Sequence, residues 1–261
     1  MNLHREIFDR NGYLIANSLL SAKKIDECTD SLSNSFELVN KSLSLRTFPN
    51  DLKNNMKILY EYDINKYLAV CKSLWRKMSV NDLLNDHEIR NFINNVFGWT
   101  DIILPGGQSV HIMGQDLLVP GGYHGLAAHQ DWPSVGGSKD GIIIWIPLTD
   151  ITIDSYPLEI IPASHLKGMY PLAGKSDAPW EISMNYYNDN DFQKIPASKG
   201  DVLFMSYFTV HRSSVGQMQK GFRISISTRW DNALEPTFID RMFPTAYERQ
   251  VRRIISDDVS Y

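Results

Sequence analysis

His129 and Asp131 lie two residues apart in the run Tyr123-His-Gly-Leu-Ala-Ala-His-Gln-Asp-Trp-Pro133. Read as a strand, the run sends both side chains out from one face. An imidazole beside a carboxylate is a pair of metal ligands that wants a third. His211, closing Phe204-Met-Ser-Tyr-Phe-Thr-Val-His211, is the candidate. Two histidines and one carboxylate leave coordination positions open, a donor set suited to non-haem Fe(II) and oxygen chemistry.

A second constellation sits in Gly221-Phe-Arg-Ile-Ser-Ile-Ser-Thr-Arg-Trp230. Arg223, Ser225 and Ser227 alternate with Ile224 and Ile226, and a period of two puts the polar residues on one face. An inward arginine needs an anionic partner, because a lone buried charge is costly. A dicarboxylate would fill its planar fork. A salt bridge to an acid of the scaffold would serve equally, and spacing does not choose between them.

The elements that must position these residues change character along the chain. Residues 1–100 read as mostly helical. A helix from Leu3 to Asn11 leads into a strand-like Gly12–Ala16, and Ser21 caps an amphipathic helix carrying Ile25, Cys28, Leu32, Phe36 and Val39. Residues 40–55 read as a loop and Tyr60–Met78 as a further helix. Asp86 caps another helix, which Gly98 ends. From Trp99 to Trp230 short apolar or alternating runs are split by Gly and Pro. The candidate strands are Ser109–Met113, Leu117–Val119, Tyr123–Asp131, Gly141–Leu148, Leu158–Ile161, Val202–Ser206, His211–Ser214 and Gly221–Trp230. Many short strands with such turns mean a sandwich or barrel. The excursion 166–200 is long for a connection; such a loop is usually functional and often a lid, a choice the sequence leaves open. Residues 233–261 return to a helical pattern. The expected organisation is one domain over 1–261, with a β core at 101–232.

Composition narrows the function classes. With 261 residues, 43% apolar and 21% charged, the chain can build a sizeable core. A net charge of −4, with no dense basic run beyond Arg249, Arg252 and Arg253, argues against nucleic acid. No apolar run spans a membrane. Cys28 and Cys71 are too few for a disulfide framework, so two reduced thiols in a cytoplasmic protein are expected. The expected partner is a small-molecule substrate, and oligomeric state stays open.

The ordered set His129-Gln-Asp131, His211 and Arg223 resembles the phytanoyl-CoA dioxygenase (PhyH-like) family of Fe(II)- and 2-oxoglutarate-dependent oxygenases. Intermediate landmarks agree. Gly141–Leu148 with Trp145, followed by Leu148-Thr-Asp150, is similar to the family's tryptophan-bearing strand. Pro162-Ala-Ser-His165 resembles its Pro-Gly-Ser-His segment, and Lys199-Gly-Asp-Val-Leu-Phe204 its entry to the distal histidine. Two departures, Ala163 for Gly and Tyr156-Pro157 for a Gly-containing turn, concern loop shape. The resemblance implies a double-stranded β-helix (jelly roll, cupin-like) core with flanking helices. It implies His129, Asp131 and His211 as iron ligands and Arg223 as the grip on the far carboxylate of 2-oxoglutarate. Ser213 and Trp145 would line the cosubstrate pocket, with Ser225 and Gln130 as further candidates. The implied reaction consumes O2, converts 2-oxoglutarate to succinate and CO2, and hydroxylates a metabolite. Asp131 is a carboxylate where related halogenases carry a small residue, so oxygenation is favoured over halogenation.

Other residues have weaker claims. His111, Met113 and Gln115 would share a face looking into the cavity, as substrate contacts. Trp132 and Tyr207 read equally as pocket wall or core. His124 reads as a surface histidine or one behind the ligands, not a fourth ligand, and His165 reads as structural. Residues 185–191, polar with Tyr186 and Tyr187, would suit a polar, sugar-like substrate or simply a solvated loop. Three rivals remain: the same oxidation ending in desaturation or epimerisation, a cupin-like hydrolase or isomerase that needs no Arg223, and a silent binding domain.

Overall fold

Local signals set the helix boundaries. In the computed structural model, which describes residues 2–119, 125–175, 180–214 and 221–244, helix α1 (Leu3–Asn11) starts where the Asn2 side chain accepts from His4 N. It ends at Gly12, whose φ of 78° is left-handed. A Cβ there would lie 2.4 Å from His165 Nδ1 and 2.6 Å from Thr209 Oγ1, so glycine is required on both counts. Ser21 caps α2 (Ala22–Ser42) as expected. The expected loop 40–55 ends early, because Asp51 caps α3 (Leu52–Tyr62). The expected single helix Tyr60–Met78 is divided. Asp63 is extended (φ −157°) and its side chain accepts from Asn65 N and Lys66 N, closing α3 and opening α4 (Ile64–Leu74). Then come α5 (Met78–Leu84) and α6 (His87–Phe97), the latter capped by Asp86 and stopped by Gly98.

The β core is an antiparallel jelly roll of two sheets. The larger has six strands, ordered β1 (Tyr13–Ala16), β7 (Val202–Ser206), β4 (Ile142–Pro147), β9 (Phe222–Asn232) and β2 (Ile102–Ile103), with β3 (Ser109–Gly114) also paired to β9. The smaller is β6 (Gln193–Ile195), β5 (Leu158–Ile160) and β8 (His211–Ser213). The larger sheet is covered on both faces. Ile142, Ile144, Ile146, Ile224 and Ile226 pack outward into one core with Ile25, Leu32, Phe36 and Ile93 of the helices. Ile143, Trp145, Leu203 and Met205 pack inward against Leu158, Ile160 and Ile195. Burial on both faces is why β4 reads as a continuous apolar run.

Two expected strands are corrected, and two short strands, β2 and β6, were not expected. Leu117–Val119 is no strand. The β3–β9 ladder runs out at Gly114↔Phe222, and the chain enters a 3-10 turn, Gln115–Leu117. Tyr123–Asp131 is no continuous strand either. Among its described residues only His129 makes β-bridges, to His211 and Glu181, before the chain turns into α7 (Trp132–Val135). The short strands β2 and β6 lacked enough residues to show a period. β6 also anchors the 166–200 excursion to the small sheet. After α8 (Pro236–Asp240) the chain turns through residues 241–244, and the rest of the expected C-terminal helical segment, with Arg249, Arg252 and Arg253, lies outside the described residues, as does His124. Among the described residues no helix is long and apolar enough to cross a membrane.

Candidate metal and cosubstrate site

Backbone pairing brings the two histidines together. His129 N donates to His211 O and His211 N to His129 O, each at 3.0 Å, and the rings stand 4.1 Å apart centre to centre. Asp131 arrives differently. Its N–H donates to Tyr207 O, and its own carbonyl accepts from Ser134 and Val135 in α7. That helical turn, not a strand face, swings the carboxylate back to the histidines. Its Oδ1 lies 3.3 Å from His129 Nε2 and 3.6 Å from His211 Nε2. All three side chains are buried.

The protonation pattern prepares these atoms for a cation. His129 Nδ1 donates to Ala127 O at 2.7 Å, and His211 Nδ1 to Thr209 O at 3.0 Å. A carbonyl only accepts, so Nδ1 is the protonated nitrogen of each ring and Nε2 is the one left to bind a cation. Burial, with the neighbouring His129, lowers the His211 pKa to about 4, which keeps that ring neutral. Burial alone would raise Asp131, but the Arg229 guanidinium outweighs it and holds the carboxyl well below the usual range. Two lone pairs and a carboxylate oxygen therefore face one point, with ligand atoms within 4.8 Å of one another. A metal ion resolves that crowding, and His129, Asp131 and His211 could hold one.

One cavity, with about 390 Å³ of empty space including its mouth, joins this point to Arg223. His111, His129, Trp145, His211, Ser213 and Arg223 are in its wall, between apolar Leu126, Ile143, Leu158 and Met205. Arg223 is 1% exposed, donates to Tyr156 O at 2.6 Å, and sits 5.9 Å from the Trp145 ring centre. Ser213 Oγ accepts from Leu126 N. His111 Nε2 lies 3.0 Å from Ser227 Oγ, and burial, with Arg223 and Arg229 nearby, lowers its pKa to about 3.

Several candidates stand elsewhere. Gln130 is fully buried and spends its amide on Gly168 O, Phe208 O and Tyr170 N, so it fastens the excursion and does not face the cavity. Gln115 is exposed in the 3-10 turn, because β3 ends before it. Met113 shares the inner face opposite Arg223 but is packed away, 2% exposed. Trp132 is stacked on Phe208 and covered by Arg241. Tyr207 is core, its hydroxyl donating to Trp230 O. His165 is structural, with Nε2 on Asp9 O. The residue that sequence reasoning missed is Arg229. Its Nε donates to Asp131 Oδ2 at 2.8 Å. Continuing the period of two from Arg223 through Ser225 and Ser227 arrives at it.

The sequence profile of the phytanoyl-CoA dioxygenase family (PhyH) matches residues 8–217. The chain belongs to that family. The PhyH fold is equally plain in solved structures. The epimerase SnoN, in complex with Fe3+, alpha-ketoglutarate and nogalamycin RO, aligns with 88% of this chain and 82% of its own, at TM-score 0.56 and 15% identity. EctD from S. alaskensis, with 2-oxoglutarate and 5-hydroxyectoine, aligns over 88% and 76% at TM-score 0.55 and 13% identity. A methylphosphonate hydroxylase of Gimesia maris is 31% identical over 101 residues. That match spans 39% of this chain and 37% of the relative. PhyH members are iron- and 2-oxoglutarate-dependent, and this chain's donor set fits both groups. The fit to iron rests on the three facing acceptor atoms. The fit to 2-oxoglutarate rests on Arg223 and on Trp145, both in the same cavity wall, the latter with a buried Nε1 that has no hydrogen-bond partner among the described residues; Ser225 is buried beside them but is not in the wall.

Proposed function

We propose that the protein is an Fe(II)- and 2-oxoglutarate-dependent oxygenase that hydroxylates a small or medium-sized metabolite. The observation that carries this is the convergence of three acceptor atoms beside a buried arginine in one cavity. His129, Asp131 and His211 hold the iron. Arg223 grips the far carboxylate of 2-oxoglutarate, with Trp145, Ser213 and Ser225 around it. O2 is the oxidant; bound iron and 2-oxoglutarate activate it, one oxygen atom leaving in succinate as CO2 is released and the other remaining to hydroxylate the substrate.

The chain's own residues do the placing. The bridge between His129 and His211 fixes two donors to one backbone ladder. Tyr207 O and the turn of α7 fix the third. Leu126, Ile143, Leu158 and Met205 keep water from the reacting centre, and His111 borders the space left for substrate.

Two observations favour a polar substrate. His111 is in the cavity wall, and Arg212 at the same wall ties the 185–191 loop to it by pairing with Asp189 as well as Glu159. Shortening that loop should then weaken substrate binding, and unchanged affinity would refute the polar-substrate reading. The likeness to a methylphosphonate hydroxylase makes small phosphonates the first compounds to assay. A second reading keeps every residue in its role and ends in epimerisation or ring closure. The likeness to SnoN and to the carbocyclase SnoK supports it.

The first experiment is anaerobic titration of the apoprotein with Fe(II) and then 2-oxoglutarate. A visible metal-to-ligand charge-transfer band should appear only with both. It should vanish in His129→Ala and fade in Arg223→Ala. Failure to bind 2-oxoglutarate would sink the oxygenase reading and promote a cupin-like hydrolase or isomerase.

A further inference from the structure

Asp131 has two oxygens with different surroundings. Oδ1 faces the two histidine Nε2 atoms at 3.3 and 3.6 Å. Oδ2 accepts from Arg229 Nε at 2.8 Å. Arg229 is itself held, because its Nη1 donates to Ser227 Oγ at 3.1 Å. Ser227 Oγ in turn lies 3.0 Å from His111 Nε2 on the neighbouring strand. The chain Asp131–Arg229–Ser227–His111 therefore anchors the carboxylate to the rigid inner face of β9 and β3. Ser227 and Arg229 both stand on β9, whose pairing with β4 runs from Ile142↔Trp230 to Pro147↔Ser225.

We infer that Arg229 is a positioning residue that makes Asp131 a one-oxygen ligand, and so keeps a coordination position open for 2-oxoglutarate. This rests on the reading of His129, Asp131 and His211 as the metal's ligands. A carboxylate beside a divalent cation can give it one oxygen or both. Arg229 takes Oδ2 out of that choice with a charge-assisted hydrogen bond in a fixed direction. A purely charge-balancing role would not need the particular oxygen, nor a second anchor on Ser227. The two roles separate in experiment. If Arg229 only balances charge or holds the fold, its loss damages metal and cosubstrate binding together. If it occupies Oδ2, its loss frees that oxygen to close on the metal. Metal binding then survives and the cosubstrate loses its place.

The test uses the whole protein loaded with Co(II), whose electronic spectrum reports coordination number, followed by titration with 2-oxoglutarate. Wild type, Arg229→Ala, Arg229→Gln, Arg229→Lys and Ser227→Ala are compared, with Asp131→Ala as control. Arg229→Ala and Arg229→Gln should keep Co(II) binding, change the Co(II) spectrum, and bind 2-oxoglutarate about tenfold or more weaker, the scale of a charge-assisted hydrogen bond. Lysine should restore part of the spectrum and part of the affinity. Ser227→Ala should shift both the same way by less, and it keeps the test alive should the larger truncations fail to fold. An unchanged spectrum and unchanged 2-oxoglutarate affinity in folded Arg229 variants would overturn the inference. So would parallel loss of metal, cosubstrate and thermal midpoint across the series. If the wild type binds no Co(II), or Asp131→Ala binds it as well as wild type, the ligand reading itself has failed. Normal loading that is lost in Asp131→Ala, with no separation among the Arg229 variants, defeats this inference alone.

Discussion

The two faces of β9 belong to different parts of the molecule's economy. Ile224, Ile226 and Trp230 point outward, and all are 1% exposed or less, inside the core shared with the helices. Arg223, Ser225, Ser227, Arg229 and Asp231 alternate with them and are turned the other way. Three of these five inner residues are charged, and Arg223 and Arg229 sit in the cavity wall. One strand thus carries a stability face and a chemistry face, one residue out of phase. The outer face can be rigid because it is close-packed and, Thr228 apart, apolar. The inner face can hold charge because that rigidity fixes where each partner sits.

Substitutions on the two faces should therefore fail differently. Ile226→Ala opens a cavity in the helix–sheet core and should cost about 4 kcal/mol of unfolding free energy. The folded fraction should still bind 2-oxoglutarate with wild-type affinity. Denaturant unfolding together with calorimetric titration checks both halves, and a loss of affinity in folded protein would mean the faces are not separate. Arg223→Ala should do the reverse. It should weaken 2-oxoglutarate by about 100-fold, roughly 3 kcal/mol, while leaving the Fe(II) or Co(II) stoichiometry intact. Equal loss of metal and cosubstrate would move Arg223 from the cosubstrate to the scaffold.

The inner face could be read from sequence only part of the way. The alternation through Arg223, Ser225 and Ser227 was legible because β9 is long enough to show a period, as was the apolar run of β4. Helix ends were announced by Ser21, Asp86 and Gly98, since capping is local chemistry. The convergence of His129, Asp131 and His211 was legible for a reason that proved incomplete. Spacing suggested a shared strand face, yet Asp131 is delivered by a turn whose partner, Tyr207 O, is remote in sequence. The same non-local accounting hid the true work of Gln130, whose amide is consumed by Gly168, Phe208 and Tyr170. It also hid Arg229, because nothing in a one-dimensional pattern says which arginine meets which carboxylate.

Two acids touching this inner face sharpen the comparison through pH. Asp131 is held low with Arg229 against it, whereas burial pushes Asp231 up to about 6 from 3.8, with Ser138 and Tyr207 as its hydrogen-bonding neighbours. A carboxyl whose pKa is raised by folding favours the folded state while it is protonated. Its contribution is complete below about pH 3.8 and is lost as pH rises through about 6. A shift of that size is on the order of 2 to 3 kcal/mol. Asp231→Asn cannot ionise, so the stability of wild type relative to this variant should decline between about pH 4 and about pH 7. Urea unfolding of both proteins across that range measures the difference directly. A flat difference would mean that Asp231 is ionised throughout and is balanced by a charge such as Arg241.

The smallest effect lies off both faces, in the connection after β5. Ala163 has φ 59°, in the left-handed region, and its N–H donates to Asn11 O while its carbonyl accepts from Leu166 N. An alanine there carries a Cβ penalty of about 1 kcal/mol that glycine escapes. Glycine also releases more chain entropy on unfolding, about half of that or more. Ala163→Gly should therefore leave a net gain of a few tenths of a kcal/mol, with metal and 2-oxoglutarate binding unchanged. A thermal melt of the apoprotein reads the first and a Co(II) titration the second. Tyr156 shares the same left-handed geometry at φ 59°, but its carbonyl accepts from Arg223. Tyr156→Gly should differ in two respects: it deletes a buried ring, at about 3 to 5 kcal/mol of stability, and it loosens the turn that presents an acceptor to Arg223. A fall in the 2-oxoglutarate affinity of its folded fraction, absent from Ala163→Gly, would show that the turn at 156, with its ring, is tied to the chemistry face and the turn at 163 is not. Equal affinity in the two would make both turns mere connections and leave the Arg223 geometry to β9 alone.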